Sequence, residues 1–363
     1  MSLSRLVVSS PGRVCLFGEH QDYLGLPVIA SAISLRIRIE GQSVRSGVAR
    51  IALPDIGQEL SIALDAPLTY QGSRDYLRSA VNVLRRTGCT WSQGVECTVR
   101  GEIPINAGTS SSSALVVAWT QFLARMSDQR PSLTREQVAH LAWQAEVEEF
   151  HEPGGKMDHY SSALGGVLHL DFSNGVKPTA LHPSLGAFVL GNSHEPKDTT
   201  RILAEVKDRV MALALQLRDR VEGFHLSTFD RKHLVHLRPF LDSTSMLLLD
   251  GTLRNRDLTI EARRLLGSAH PDGVVFGKLM DEHQVVLRDV LHISTPKIDR
   301  MIEAARKSGA VGAKINGSGG GGCMFAYAPE NPERVAAAVW EVGGTAWVVH
   351  VDRGVTIDEE RVT

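Results

Sequence analysis

The sequence has few cysteines, no long apolar run and almost no net charge, and each absence excludes a class of protein. Its four cysteines are scattered without a C-x-x-C pair, which argues against a disulfide framework or a zinc site and indicates a reducing, cytoplasmic compartment. No run of about 18 apolar residues predicts a membrane span, and the N-terminus lacks the pattern of a signal peptide. The net charge of −2 offers no broad basic surface. We therefore expect neither nucleic acid nor a membrane as a partner.

The length and the order of the predicted elements indicate two domains of mixed structure. The chain has 363 residues, of which 43% are hydrophobic, enough for a large core and for more than one domain. Strand and helix patterns alternate irregularly, which favours an α+β fold. Asn, Gly and Pro cluster in "DFSNGVKPTALHPS", so we place the boundary there and divide the chain into residues 1–177 and 178–363.

Hydrophobic periodicity predicts where several elements lie. Alternating apolar residues predict strands at 4–9, 14–17 and 34–41. Apolar residues at helical spacing predict a helix over 74–87 and another over Ser111–Met126. Thr134, with Gln137 three residues later, predicts a capping box at the start of a further helix. Later helices are predicted at 199–220, 230–240, 254–266 and 275–290.

The segment "PINAGTSSSSALVVAW" (104–119) is typical of a phosphate-binding loop. Small and hydroxyl residues lead directly into an apolar helix, where backbone N–H groups and the helix dipole favour an anion. A serine hydroxyl there can also ligate a magnesium ion beside the phosphates. The loop is not a Walker A motif, because G-x-x-x-x-G-K-[ST] is absent. The alternative is a serine-rich helix cap without a ligand, but four consecutive serines exceed what capping needs.

A second glycine-rich loop, "NGSGGGGC" (316–323), follows a predicted helix and a short strand. It formally matches G-x-G-x-x-G, but a strand-like segment follows it where a dinucleotide-binding site needs a helix. Its glycines allow the backbone to approach a ligand closely. A flexible turn without a ligand is the alternative.

Two carboxylates in "QAEVEEFHEPGGKMDHYSSALGG" have surroundings unlike a solvated charge run. Glu146 has apolar neighbours and can project from a helix toward a metal ion. Asp158 follows a tight turn and opens an apolar helix, so helix capping is the alternative to a catalytic role. A further polar set, Arg13, Glu19, His20 and Asp22, lies in "SPGRVCLFGEHQDYLG", either as a surface turn or as a site for hydroxyl groups.

Together these segments resemble the three motifs of the GHMP kinases, the family of galactokinase, homoserine kinase, mevalonate kinase and phosphomevalonate kinase. "PGRVCLFGEHQDYLG" is similar to the galactokinase signature, "PINAGTSSSSAL" to the serine motif, and "AKINGSGGGGCMFAY" to the third, glycine-rich motif. Asn106 and Thr109 stand where the serine motif usually has glycine and leucine. The resemblance implies a ribosomal-protein-S5-domain-2-like N-terminal domain, a ferredoxin-like C-terminal domain and a site in the cleft between them.

The resemblance also implies roles for individual residues. Asp158 takes the position of the catalytic base, with Arg13 beside the phosphoryl acceptor. The sugar-binding positions fall on Glu19, His20, Asp22 and Gly155. Mg²⁺ would be held by Ser112 and Glu146. The ATP-binding positions fall on Tyr76, Asn106, Ala107, Gly108, Thr109, Ser110, Ser111, Ser112, Ser113, Gly319 and Gly320.

We therefore expect an ATP- and Mg²⁺-dependent sugar kinase that phosphorylates the anomeric hydroxyl, acting as a monomer or homodimer. The Tyr-Asn-x-Arg segment of galactokinases is missing, and "LGNSHEPKDTTRILAEV" looks more like mevalonate kinase at this point. Galactose, another hexose, a uronic acid and arabinose all remain open as substrates. The alternatives are a mevalonate kinase-like enzyme and a sensor that binds ATP and sugar without turnover.

Overall fold

The computed structural model describes residues 3–196 and 199–361, in which strands and helices form two packed units. The strands are β1 (Leu3–Phe17), β2 (Val28–Val44), β3 (Val48–Leu53), β4 (Gln58–Ala63), β5 (Gly94–Gly101), β6 (Val167–Asp171), β7 (Lys177–Leu181), β8 (Phe188–Asn192), β9 (Gly312–Ile315), β10 (Cys323–Tyr327), β11 (Thr345–Val349) and β12 (Thr356–Arg361). The α-helices are α1 (Tyr76–Arg86), α2 (Ser111–Met126), α3 (Arg135–Trp143), α4 (Met157–Leu164), α5 (Thr199–Arg220), α6 (Ser243–Leu266), α7 (Gly273–Asp289), α8 (Pro296–Lys307) and α9 (Pro332–Glu341). No helix in the described part combines the length and apolar character that a membrane span requires.

The first sheet has the strand order β12-β1-β2-β5-β3-β4, and β6 pairs with both β2 and β7. The helices α1 to α4 cover it and enclose a core in which Trp119 and Phe122 of α2 are fully buried. The apolar stripe of α1, with Leu77, Ala80 and Leu84, faces the same core. This packing fixes the start of α2 beside β1, where two of the three sequence motifs meet.

Residues 3–17 form one continuous strand, not the two strands predicted at 4–9 and 14–17. The interruption is only a register shift against β2 between Pro11 and Arg13, where proline's missing N–H is tolerated. A Cβ on Gly12 would lie 2.9 Å from the Thr109 carbonyl oxygen, so glycine lets the serine loop approach this strand. The Arg13 N–H then donates to that same carbonyl.

The second sheet is antiparallel with the order β11-β8-β10-β9, and α8 and α9 pack against it. The predicted α+β class is confirmed. The sheets do not follow the predicted division between residues 177 and 178. That point falls at the start of β7, which pairs with β6, and β12 returns from the chain end to cover the edge of β1.

Side-chain caps explain how the helices compare with their predicted bounds. The capping box of Thr134 and Gln137 is confirmed, and α2 has the predicted bounds. The helix predicted at 254–266 begins earlier, at Ser243, because Asp242 caps it by accepting from the Ser245 N–H. The segment predicted as a helix at 230–240 is a 3₁₀ helix, Arg231–Phe240.

Candidate functional site

A cavity of about 420 Å³ is lined by all three sequence motifs and by residues of both halves of the chain. We call it the central cavity. One end is polar and the other is apolar. The polar end is lined by Arg13, Glu19, His20, Asp22, Tyr23, Gly155, Asp158, Leu203 and Ser318. The cavity therefore brings together most of the residues that the sequence singled out.

Arg13 and Asp158 form a two-point ion pair at the polar end. The Arg13 Nε and Nη2 donate to the two Asp158 carboxylate oxygens over 2.8 and 2.7 Å, and Nη1 donates to the Gly108 carbonyl over 2.6 Å. Burial raises the pKa of Asp158, but the Arg13 guanidinium, together with smaller contributions from neighbouring polar groups, holds that pKa below its usual value. Asp158 does not cap α4, because Lys156 occupies the cap position. Its carboxylate is therefore ionised at neutral pH and lies at the cavity wall.

Asp22 places a second carboxylate in the same end of the cavity. Its Oδ1 accepts from the Tyr23 N–H over 2.9 Å, and its Oδ2 lies 3.4 Å from the Met157 N, beside Asp158. Burial and then the Asp158 charge raise the pKa of Asp22 to about 6. Two carboxylates and one paired guanidinium thus face the cavity, which makes this end rich in acceptors for hydroxyl groups.

Replacing Gly155 with alanine is expected to weaken substrate binding at least tenfold, on the order expected for one lost charged hydrogen bond. A Cβ at this position would lie 1.7 Å from Asp22 Oδ2, so the Asp22 carboxylate must leave its place. Gly154→Ala is the matched control, because its Cβ would meet only a Val147 methyl at 3.7 Å. KM for the substrate, compared between the two variants, tests this role; equal KM values would contradict it.

Glu19 and His20 line the cavity but are engaged within the protein, which differs from the predicted sugar contacts. Glu19 is 1% exposed, and its carboxylate pairs with the fully buried Lys314 Nζ. The His20 Nε2 donates to the Ser318 carbonyl over 3.1 Å, which leaves Nδ1 to accept from the Tyr23 hydroxyl over 2.7 Å. Both residues therefore connect the first motif to the third.

The serine loop takes a conformation that explains its unusual asparagine. Asn106, Gly108 and Ser110 have φ values of 57°, 81° and 61°, all in the left-handed region. Asn adopts this region more readily than other non-glycine residues, so it can replace the usual glycine. The loop runs into the first turn of α2 at the cavity, where unsatisfied N–H groups favour phosphate. The cavity-lining members are Asn106, Ala107, Gly108, Ser110, Ser111, Ser112 and Ser113.

Three predicted ATP-binding residues do not line the central cavity. Thr109 is fully buried, and its hydroxyl donates to the Pro104 carbonyl. Gly319 and Gly320 lie against the C-terminal half. A Cβ on Gly319 would lie 2.5 Å from Ile293, and a Cβ on Gly320 would lie 2.2 Å from Ile202. The third motif instead reaches the cavity through its preceding residues, Gly317 and Ser318.

Glu146 lies on a short π-helix, Gln144–Glu148, whose wide turn is closed by the Glu149 N–H donating to the Gln144 carbonyl. Such turns occur often at functional sites. Glu146 and the exposed Ser112 hydroxyl both line the central cavity. The described residues contain no cluster of three metal-ligating side chains. One carboxylate and one hydroxyl suit Mg²⁺, which takes most of its ligands from phosphates and water.

Tyr76 lies on the cavity wall as predicted for a residue near the nucleotide. Its hydroxyl donates to Glu152 Oε1 over 2.8 Å, and its ring packs edge-on against Phe150. Arg74, at the same side of the cavity, is ion-paired with the same Glu152 oxygen at 3.0 Å. This side of the site is therefore held in place by a polar network between two segments of the first domain.

The apolar end of the central cavity was not identified from the sequence. It is formed by side chains of β2, β3, β5 and the segments after β3 and β5, all of which read as ordinary strand positions. Alternation shows that such residues face one side of a sheet, but it does not show that the sheet leaves a cavity there. The members are Ile37, Leu53, Ile56, Val99, Ile103 and Ile105. Chemically, this end can hold a flat apolar group such as a nucleobase.

The chain is similar to known protein families and to individual kinases. Residues 75–166 match the model of the GHMP kinases N terminal domain, residues 264–343 match that of the GHMP kinases C terminal domain, and residues 2–42 match the galactokinase galactose-binding signature. A mevalonate kinase of Thermococcus onnurineus is 29% identical over 98% of this chain and 99% of its own. A galactokinase of Haemophilus influenzae is 27% identical over 91% of this chain and 87% of its own.

Solved structures share the fold. The galactokinase of Lactococcus lactis, solved in complex with galactose, superposes with a TM-score of 0.85 at 21% identity, over 97% of this chain and 95% of its own. A mevalonate kinase of Methanococcus jannaschii superposes with a TM-score of 0.74 at 20% identity, over 96% of this chain and 99% of its own. The fold and the family matches together define an ATP-dependent phosphotransferase. The chain belongs to the GHMP kinase family.

Proposed function

We propose that this chain transfers the γ-phosphate of ATP to the anomeric hydroxyl of a neutral monosaccharide. The observation that carries this proposal is the placement of Asp22 beside Asp158 at the polar end of the central cavity. Asp22 lies within residues 2–42, which match the galactose-binding signature. The similarity to galactokinase supports the choice of the anomeric hydroxyl.

The charges at the polar end favour a neutral substrate. Arg13 is paired with Asp158, and Lys314 is paired with Glu19, so neither cation is left to neutralise a substrate carboxylate. A carboxylate substrate, such as mevalonate or a uronic acid, would meet the Asp22 charge without compensation. Sugar hydroxyls instead donate to these carboxylate oxygens, and several such bonds distinguish one epimer from another.

The proposed mechanism assigns one task to each part of the site. The apolar end receives the nucleobase, and the serine loop with the first turn of α2 receives the phosphates. The Asp158 carboxylate accepts the proton of the sugar hydroxyl as that oxygen attacks the γ-phosphorus, and the bond from this phosphorus to the bridging oxygen breaks, so that ADP leaves. Arg13 holds Asp158 ionised and aligned. Mg²⁺, held by Glu146 and Ser112, would neutralise charge on the phosphate oxygens.

Calorimetric titration with free ligands tests the proposed substrate class. With Mg²⁺ and a non-hydrolysable ATP analogue present, we expect a neutral hexose or pentose to bind at least tenfold more tightly than mevalonate or galacturonate. A loss of about this order in affinity is expected from one uncompensated contact between the substrate carboxylate and Asp22. Binding of mevalonate alone would contradict the proposal and favour a mevalonate kinase. That function is the second candidate, because a mevalonate kinase aligns with 98% of this chain.

Repeating the titration at several pH values tests whether Asp22 is the group that binds the sugar. Because the pKa of Asp22 is about 6, its carboxylate is ionised above pH 6 and protonated below it. We therefore expect affinity for the neutral sugar to fall as the pH is lowered through 6, since the protonated group accepts fewer hydrogen bonds. Asp22→Asn should bind weakly at every pH and lose this dependence. An unchanged pH profile in the variant would assign the effect to another group.

A further inference from the structure

His159 is a buried histidine that the sequence motifs do not account for. It follows Asp158 directly on α4 and is only 2% exposed. Its Nε2 lies 2.7 Å from Glu146 Oε2. Its Nδ1 is buried and has no hydrogen-bond partner among the described residues. The side chain is therefore committed to one polar contact, and that contact is with the carboxylate placed at the metal position.

The contact constrains Glu146 in a specific way. A carboxylate only accepts hydrogen bonds, so the proton of the imidazole lies on Nε2 and points at Oε2. One carboxylate oxygen is thus held by the protein, and Oε1 is the oxygen left for a cation. A buried bond of this kind fixes the orientation of a metal-binding side chain and removes its rotational freedom.

The contact also joins two elements of the site. Glu146 is on the π-helix after α3, whereas His159 is on the first turn of α4, next to the base Asp158. The Nε2–Oε2 bond spans 13 residues of sequence and links the metal position to the helix that carries the base. Movement of one helix relative to the other would break this bond.

We propose that His159 is the positioning residue that orients Glu146 for the divalent cation of the nucleotide complex. This inference rests on the proposed function, because it assumes that Glu146 meets a cation there. The chemistry requires a side chain of the right length with a donor toward Oε2. Glutamine meets that requirement, asparagine is too short, and leucine has no donor.

Binding of Mn²⁺ in the presence of ADP, followed by electron paramagnetic resonance, tests the proposal without turnover. We expect His159→Leu and His159→Asn to weaken Mn²⁺ binding about 10- to 100-fold, the usual effect of removing a partner of a metal ligand. His159→Gln should bind Mn²⁺ within about threefold of the wild type, because its amide can replace the Nε2 donor. His169→Leu is the matched control, since His169 is 4% exposed and does not line the cavity, and its Nδ1 also has no hydrogen-bond partner within the described part of the chain.

The outcomes separate this inference from the proposed function. Wild-type affinity in folded His159→Asn would overturn the role of His159 while leaving the kinase proposal intact. Equal weakening in the His169 control would assign the effect to general loss of packing and also overturn it. Failure of the wild type to bind Mn²⁺ with ADP would count against the metal position itself. Weak binding in the Leu and Asn variants with recovery in the Gln variant is the result that supports the inference.

Discussion

Replacing Asp158 with asparagine is expected to lower kcat by about 10²- to 10⁴-fold, the usual contribution of a positioned general base. The amide keeps the size of the side chain and can still accept from Arg13, whose own side chain is buried and needs a partner. It does not accept the proton of the sugar hydroxyl. The affinity for ATP should stay within about threefold of the wild type, because Asp158 lies at the polar end of the central cavity, where we propose that the sugar binds.

Initial rates of ADP release and titration with an ATP analogue separate these two effects. Glu148→Gln is a suitable control, because Glu148 is the exposed last residue of the π-helix and its carboxylate accepts a hydrogen bond from Gln144, which the amide can also accept. Its kcat should match that of the wild type. An Asp158→Asn variant that retains more than a tenth of the wild-type kcat would show that another group takes the proton. The roles of Arg13 and Asp158 would then need to be reassigned.

Replacing Lys314 with methionine is expected to destabilise the protein by about 3–5 kcal/mol, the range for removing one partner of a buried ion pair. Lys314 is fully buried, and its Nζ donates to Glu19 and to the carbonyl oxygens of Cys15 and Ile315 at 3.0 Å. Burial raises the pKa of Glu19, and the Lys314 charge opposes that rise. Without Lys314, the buried carboxylate must stay charged without its ammonium partner or take up a proton, and both cost free energy of folding.

Urea unfolding followed by circular dichroism measures this effect. Glu19→Gln combined with Lys314→Met should recover a large part of the lost stability, because no unpaired charge is left buried. Lys307→Met is the matched surface control: Lys307 is paired with Glu303 on α8, both are exposed, and its loss should cost under about 1 kcal/mol. A Lys314 variant as stable as this control would mean that the ion pair does not hold the two motifs together.

The features predicted correctly from the sequence are those encoded in short segments. The bounds of α2 follow from small residues next to an apolar helix, and the capping box follows from Thr134 and Gln137. The family resemblance alone implied that Arg13 and Asp158 act at one site, because 145 residues separate them, and the structure shows that they form an ion pair. Its geometry depends on the packing of β1 against α4.

The features that the sequence did not reveal depend on contacts between distant segments. Glu19 looked like a sugar contact because its partner Lys314 lies 295 residues away in another motif. The contact of His159 with Glu146 depends on a π-helix, for which the sequence offers no local signal. The apolar end of the cavity is made by strand residues whose alternation also suits an ordinary core. In each case, the sequence showed the residue type, and only tertiary packing showed its neighbour.

A coupled assay of ADP release with Mg²⁺-ATP, run on a panel of free monosaccharides and on mevalonate, tests the central claim most directly. The account predicts turnover with a neutral monosaccharide, little or none with mevalonate, and loss of that turnover in Asp158→Asn. Turnover with mevalonate alone would contradict the assignment of Asp22 as the group that selects a neutral substrate. Sugar binding without any ADP release would contradict catalysis and identify the chain as a sensor.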